Sequence, residues 1–292
     1  QADAHTQRVA EWVVLKLRHP MLSDMFGREV LPLSLRMVDD SNLQTKARGL
    51  RMLAHCTKHL MLPDLRFHGP LLLHRLLNAY AFHQVDIEEP LLESFLVLLP
   101  ALLSDPGSLS TNKRRNVHQK NIDSFLEGIF KEVEWVGLGT SDLAIDRVRF
   151  YAEGLLPKLI HVLGDRCALY IRTIIPTLSR MGETRDLKTA LGALKGLEAL
   201  VHSLPTRISA HYNKLFETCA RIYIKHQVEG KTKGSKDRRQ VCRATCELLA
   251  KICSSQEHFR PVVHKAFKGV SALAGMKKEL KTISDSLAGR KT

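Results

Sequence analysis

Aromatic residues are scarce in this 292-residue chain, at 6%. That argues against β-sandwiches and barrels, whose strands draw on aromatic and β-branched side chains. Acidic residues are also short. Forty-four Lys and Arg face 30 Asp and Glu, so the net charge is +14, and the chain is attracted to acidic proteins, nucleic acid or anionic lipid. The most apolar stretch, 91–103, contains Glu93 and is too short to span a bilayer. The first residues, Gln1 to His5, lack the basic start and apolar core of a signal peptide. There is no starting Met, which reads as a fragment of something longer. No Asn-x-Ser/Thr sequon occurs, in keeping with an intracellular site.

Catalytic signatures are missing as well. There is no His-Glu-x-x-His helix, no phosphate loop ending in Lys-Ser/Thr, no Gly-x-Ser-x-Gly elbow and no kinase set. The paired acids Asp39-Asp40 and Glu88-Glu89 fall at a turn and in a helix's first turn, where negative charge suits capping and the helix dipole. Cys242, Cys246 and Cys253 share one helical stripe and could offer three thiols to zinc. Leu249 lies on that stripe and no second ligand pair follows, so core packing is the stronger reading. The other cysteines, Cys56, Cys167 and Cys219, also fall mid-helix, as free thiols do in a reducing cytosol or nucleus. Of the fourteen histidines, His55, His59, His68, His74, His83, His118, His161, His202 and His211 are scattered along the chain and read as surface and groove residues. No cofactor and no metal are expected, and the chain reads as a non-enzyme.

What is present is helical periodicity nearly everywhere. Leu50, Leu53, Ala54, Thr57 and Met61 line one face of one segment, and Ala190, Leu194, Leu197, Val201 and Leu204 line another. A dozen helices are expected, at about 6–18, 22–38, 42–61, 69–83, 88–103, 119–135, 142–163, 167–181, 186–203, 207–226, 237–254 and 257–287, with boundaries uncertain by about 2–4 residues. Short joints carrying Pro, Gly or Asp fold consecutive helices back antiparallel. Two joints are longer and basic, at about 104–118 and 227–237, and are expected to be mobile loops. They supply the candidate polyanion or partner contacts: Lys113, Arg114 and Arg115, then Lys231, Lys233, Lys236, Arg238 and Arg239. A further basic run lies at 277–291. Few aromatics are interleaved with these runs, so nucleic acid is the weaker partner.

One repeat unit is legible. Pro32 lies in a first helix, Asp39-Asp40 makes the turn, and Lys46 and Arg48 come early in a second helix. That is the HEAT-repeat pattern, echoed at Leu99-Pro100, Leu156-Pro157 and Ile175-Pro176. One helix pair cannot bury its own apolar face, so pairs must stack. The expected fold is all-α, an α-solenoid of degenerate HEAT-like hairpins forming a single domain over 1–292. A compact bundle of the same helices is the competing architecture.

Several segments carry a family resemblance. They are Trp12 through Pro20, Val30-Leu31-Pro32-Leu33-Ser34-Leu35 through Asp40, Lys46 through Cys56, Leu72 through Ala79, Tyr151-Ala152-Glu153-Gly154-Leu155-Leu156-Pro157, and Leu194-Lys195-Gly196-Leu197 running to Pro205. In order and spacing this series resembles the C-terminal portion of the second Tel-interacting protein family, the smallest subunit of the Triple-T (TTT) complex. The resemblance covers most of the chain. It departs at Leu204-Pro205-Thr206-Arg207, where family members carry a Trp before the Pro-Arg step. The resemblance implies a non-catalytic scaffold that binds the other two Triple-T subunits, the Tel-two and Tti-one proteins. It further implies a cochaperone role with the ninety-kilodalton heat-shock chaperone and its R-two-TP adaptor. The clients would be phosphatidylinositol-3-kinase-related kinases, in the cytoplasm and nucleus, with no membrane.

Overall fold

The structure is a computed structural model that describes residues 4–80, 85–103, 112–136, 142–233, 236–255 and 274–288. Among the described residues there is no strand. The architecture is all-α, with helices stacked in the manner of an α-solenoid. The chain divides into two compact units, Gln1–Gly128 and Ile129–Thr292.

The first unit begins with α1 (Ala4–Lys16). A continuous rod follows, made of α2 (Met21–Met25), a π-helical segment π1 (Phe26–Val30) and α3 (Leu31–Val38). Next come α4 (Leu43–His59), α5 (Leu62–Tyr80) and α6 (Val85–Leu103). Both α1 and α6 pack on α4, forming a row, while α3 packs on α4 and α5 on α6. The α7 helix (Asn112–Val136) contains the border between the units.

The proline expected in the first helix explains the π segment. Pro32 has no N–H, and its ring crowds the carbonyl four residues back. The backbone absorbs this with one extra residue, and the Leu31 N–H donates to the Phe26 carbonyl, five residues away. The turn that follows is tied by side chains. The Asn42 carbonyl Oδ1 accepts from the backbone N–H groups of Gln44 (2.9 Å) and Thr45 (3.1 Å), capping α4. Buried Lys46 donates from Nζ to the Val38 carbonyl at 2.5 Å, satisfying an orphan acceptor at the end of α3. The basic residue of the expected repeat pattern thus caps the preceding helix, while Asp39 pairs with Arg75 (3.1 Å). At Gly49 a methyl group would sit 2.8 Å from the Ser34 carbonyl oxygen and the Val38 nitrogen. Backbone therefore rests on backbone where α3 crosses α4.

The second unit repeats the device. α8 (Asp142–Arg149), π2 (Phe150–Leu155) and α9 (Leu156–Leu163) form one rod, with Pro157 just past the π segment and the Leu156 N–H donating to the Tyr151 carbonyl. Gly164, at φ +52°, ends the rod in a backbone conformation that L side chains avoid. After it come α10 (Cys167–Gly182), α11 (Leu187–Ser203), α12 (Tyr212–Lys233), α13 (Lys236–Ser255) and α14 (Ala274–Ala288). The rod packs on α11 and α11 on α13, forming a row. On its flank α10 packs on α11 and α12, and α12 on α13, while α14 covers α13.

The two expected basic loops are corrected in part. Residues 112–118 begin α7, residues 227–233 complete α12, and 236–237 begin α13. Their Lys, Arg and Gln residues are good helix formers, and a single Gly230 costs only about 1 kcal/mol. The remainder, 104–111 and 234–235, lies outside the described residues, as does 256–273 of the expected final helix.

Candidate interaction groove

The sequence-predicted basic residues fall on helix ends. Lys113, Arg114 and Arg115 stand in the first turn of α7. Lys231 and Lys233 stand in the last turn of α12, and Lys236, Arg238 and Arg239 in the first turn of α13. Arg239 is exposed and Arg238 half-buried. The second set gathers where α12 ends and α13 begins, whereas the α7 set is separate from it in the chain.

A different surface has the shape of a site. An open groove of about 470 Å³ runs between α11 and α13. Its floor includes Leu194 and Leu248, both buried, with Leu191 and Ala244 beside them. Its edges carry Glu153, Lys195, Glu198, Arg243, Glu247 and Lys251. A smaller niche of about 120 Å³ shares Glu198, Leu248 and Lys251 with the groove and adds Val201, Pro205, Ile208 and Tyr212. An ion pair between Lys251 and Glu198 bridges the two helices where groove and niche meet. Arg243 and Glu247 pair along α13 at 3.0 Å. Exposed pairs of this kind are worth about 0–1 kcal/mol, so opening them costs little.

Helix registration explains the lining. Residues 191, 194, 195 and 198 recur at three- and four-residue steps on α11, and 240, 243, 244, 247, 248 and 251 do so on α13. The apolar members sink between the helices and the charged members stand at the rim. The sequence reading missed this surface because each helix shows an ordinary amphipathic pattern. The four-residue charge spacing of Arg243, Glu247 and Lys251 was the available signal.

A dense electrostatic lock lies at the start of α11. The Asp186 carboxylate accepts from Arg149 Nη2 (2.9 Å) and Nε (3.2 Å), from the Thr189 backbone N–H (3.0 Å) and from its hydroxyl (2.6 Å). Burial pushes the Asp186 pKa up, but these hydrogen bonds outweigh it and bring the value down to about 2. This is a helix cap joined to an ion pair, a structural constellation.

The thiols are placed in packing. Cys56, Cys167 and Cys219 are buried, and burial raises each pKa to about 12. Cys242 is raised to about 11, and Cys246 is raised further by burial and by Glu279. Cys253, the third member of the sequence stripe, is only half-buried. A thiol held protonated is a poor nucleophile and a poor ligand. Among the described residues no group of three or more His, Cys, Asp or Glu side chains is arranged to hold a metal ion. Nor, among those residues, is any helix long and apolar enough to cross a membrane.

Two histidine features escaped the sequence reading. His226 is fully buried on α12, its Nε2 2.9 Å from the Gly182 carbonyl. On α4 the rings of His55 and His59 lie 4.5 Å apart, and His55 Nε2 lies 2.8 Å from Arg18 Nη1 and 3.0 Å from the Leu17 carbonyl. Burial, with Arg18 and Lys58 nearby, lowers both pKa values. No family model and no curated protein matches the chain.

Proposed function

We propose that the protein is a non-catalytic scaffold that holds other proteins on its stacked helices. The observation that carries this reading is the α11–α13 groove, with an apolar floor and edges of both charge signs. Such a surface suits a protein segment, since apolar contact supplies affinity and rim charges supply register. The perturbed groups also favour this reading over catalysis. The shifted thiols and Asp186 owe their shifts to burial, packing contacts and a helix cap.

The segment series Trp12–Pro20, Val30–Asp40, Lys46–Cys56 and Tyr151–Pro157 supports the narrower assignment. In that assignment the chain is the second Tel-interacting subunit of the Triple-T cochaperone, built of HEAT-like hairpins. It binds the Tel-two and Tti-one proteins and serves phosphatidylinositol-3-kinase-related kinases, with the ninety-kilodalton chaperone and its R-two-TP adaptor, in cytoplasm and nucleus. Gel filtration of the purified chain with the other two Triple-T subunits tests this. Co-elution as one complex is the expected result, and elution of the chain apart from both would sink the assignment.

One observation favours a second reading, polyanion binding. Lys231, Lys233, Lys236, Arg238 and Arg239 stand within one stretch across the α12 end and the α13 start. Calorimetry with inositol hexakisphosphate at two salt concentrations tests it. A polyanion site gives binding that weakens steeply with salt, and absence of heat at low salt rejects it.

A further inference from the structure

Basic side chains gather where the end of α1 meets α4. Arg18 follows α1, and His55, Lys58 and His59 occupy the last turns of α4. Steps of three and four residues put the α4 members on one side of the helix. The Arg18 guanidinium is anchored through one nitrogen. Its Nη1 lies 3.0 Å from the Leu15 carbonyl, 2.8 Å from the Leu17 carbonyl and 2.8 Å from His55 Nε2. Its Nε and Nη2 N–H groups meet no acceptor among the described residues. Neither ring nitrogen of His59 has a hydrogen-bond partner among those residues, and its ring lies 4.5 Å from that of His55. The junction thus holds a guanidinium edge in place beside two imidazoles, with nothing for that edge to donate to.

The charges agree. The neighbouring cations are matched, Arg51 by Glu11 of α1 at 2.7 Å and Lys58 by Glu93 of α6. Arg18 has no carboxylate partner among the described residues. Burial first, and then Arg18 and Lys58, disfavour the charged form of both histidines. Both rings are therefore uncharged near neutral pH and able to take up a proton. An anion beside them reverses the balance, because it favours the imidazolium that the cations oppose. A metal ion would be repelled by those same cations. The open edge of a guanidinium matches two oxygens of an oxyanion. Two negative charges suit Arg18 together with one imidazolium, which favours a phosphate dianion over a carboxylate.

We infer that Arg18, His55 and His59, with Lys58 at the edge, form a binding site for a phosphate group, taken up with a proton on the histidine pair. The site lies on other helices than the α11–α13 groove and the basic stretch of α12 and α13. Failure of either of those readings leaves it standing.

The test follows the histidine-ring NMR signals of the full chain near neutral pH at constant ionic strength. Inorganic phosphate is expected to shift the His55 and His59 signals saturably and to raise both pKa values, whereas acetate should do neither. Arg18→Gln should weaken phosphate binding about tenfold, the worth of one hydrogen bond to a charged group. Arg172→Gln removes the same charge from an exposed position in the second unit and should leave binding unchanged. Both arginines are exposed, so the melting temperature of either variant should stay near that of the parent. A phosphoserine peptide and its unphosphorylated twin separate the sources of the group. Tighter binding of the phosphopeptide than of inorganic phosphate assigns the site to a phosphorylated protein, and affinity no greater assigns it to the free anion. Absence of a saturable shift, an equal response to acetate, or equal losses in the two arginine variants overturns the inference.

Discussion

The α3–α4 crossing of the first unit and the π2–α11 crossing of the second solve one problem with different chemistry. In both, a rod broken by a proline-linked π segment meets a helix that presents glycine. Gly49 rests against the backbone of Ser34 and Val38, past the π segment. Gly192 rests on the π segment itself, where a methyl group would lie 2.6 Å from the Ala152 carbonyl carbon and 2.8 Å from the Glu153 nitrogen. The polar ties differ more. The first unit caps α4 with neutral Asn42 and closes α3 with Lys46. The second caps α11 with a carboxylate that also holds Arg149. The crossing geometry is thus set by backbone contact, while the side chains that secure it are interchangeable between neutral and ionic forms.

The largest expected effect breaks the shared part. Gly49→Ala and Gly192→Ala each push a methyl into unyielding backbone. Each should cost about 1–3 kcal/mol of stability by overpacking, less up to about 1 kcal/mol that alanine returns in helix propensity. Gly196→Ala is the comparison, because its methyl would meet the end of the Leu178 side chain rather than backbone. It should cost less than either, since a side chain gives more readily than backbone. Chemical denaturation measures all three, and equal losses at the three positions would remove backbone contact as the cause.

The next effect separates the two caps. Asp186→Ala should cost about 2 kcal/mol, the upper end for a lost cap, because Arg149 also loses its two-pronged partner and is left with Asp146. Asn42→Ala should cost about 1 kcal/mol. Acid titration sharpens this further. The Asp186 pKa is depressed in the folded chain, to about 2 from an ordinary 3.8. Its contribution is therefore present above pH 3.8 and is lost as pH falls through 3.8 toward 2. The stability gap between the parent and Asp186→Asn should close over that window, while the gap for Asn42→Ala should stay level. The smallest effect concerns the groove bridge. Lys251→Ala should cost less than about 1 kcal/mol, and less still in high salt.

Much of this comparison was legible in the sequence. The apolar spacing at Leu50, Leu53 and Ala54 and at Ala190, Leu194 and Leu197 located the second helix of each crossing. Leu31-Pro32 and Leu156-Pro157 marked matching positions in the two rods, but not the π segments that precede them. That Lys46 closes α3 while Asp39 pairs with Arg75 was not legible, because a sequence pattern does not say which carbonyl an ammonium reaches. The basic runs were read as loops because charge blocks resemble solvated linkers, yet Lys and Arg also favour helix. The groove stayed hidden because it depends on which apolar faces the stack leaves uncovered, and periodicity records only that a face is apolar.

Hydrogen–deuterium exchange of the chain, alone and with the other two Triple-T subunits, tests the scaffold reading most directly. The account predicts slowed exchange on complex formation in α11 and α13 around Leu194 and Leu248, with little change in the buried α3–α4 crossing. Unchanged exchange in α11 and α13, with protection confined to other helices, would contradict it.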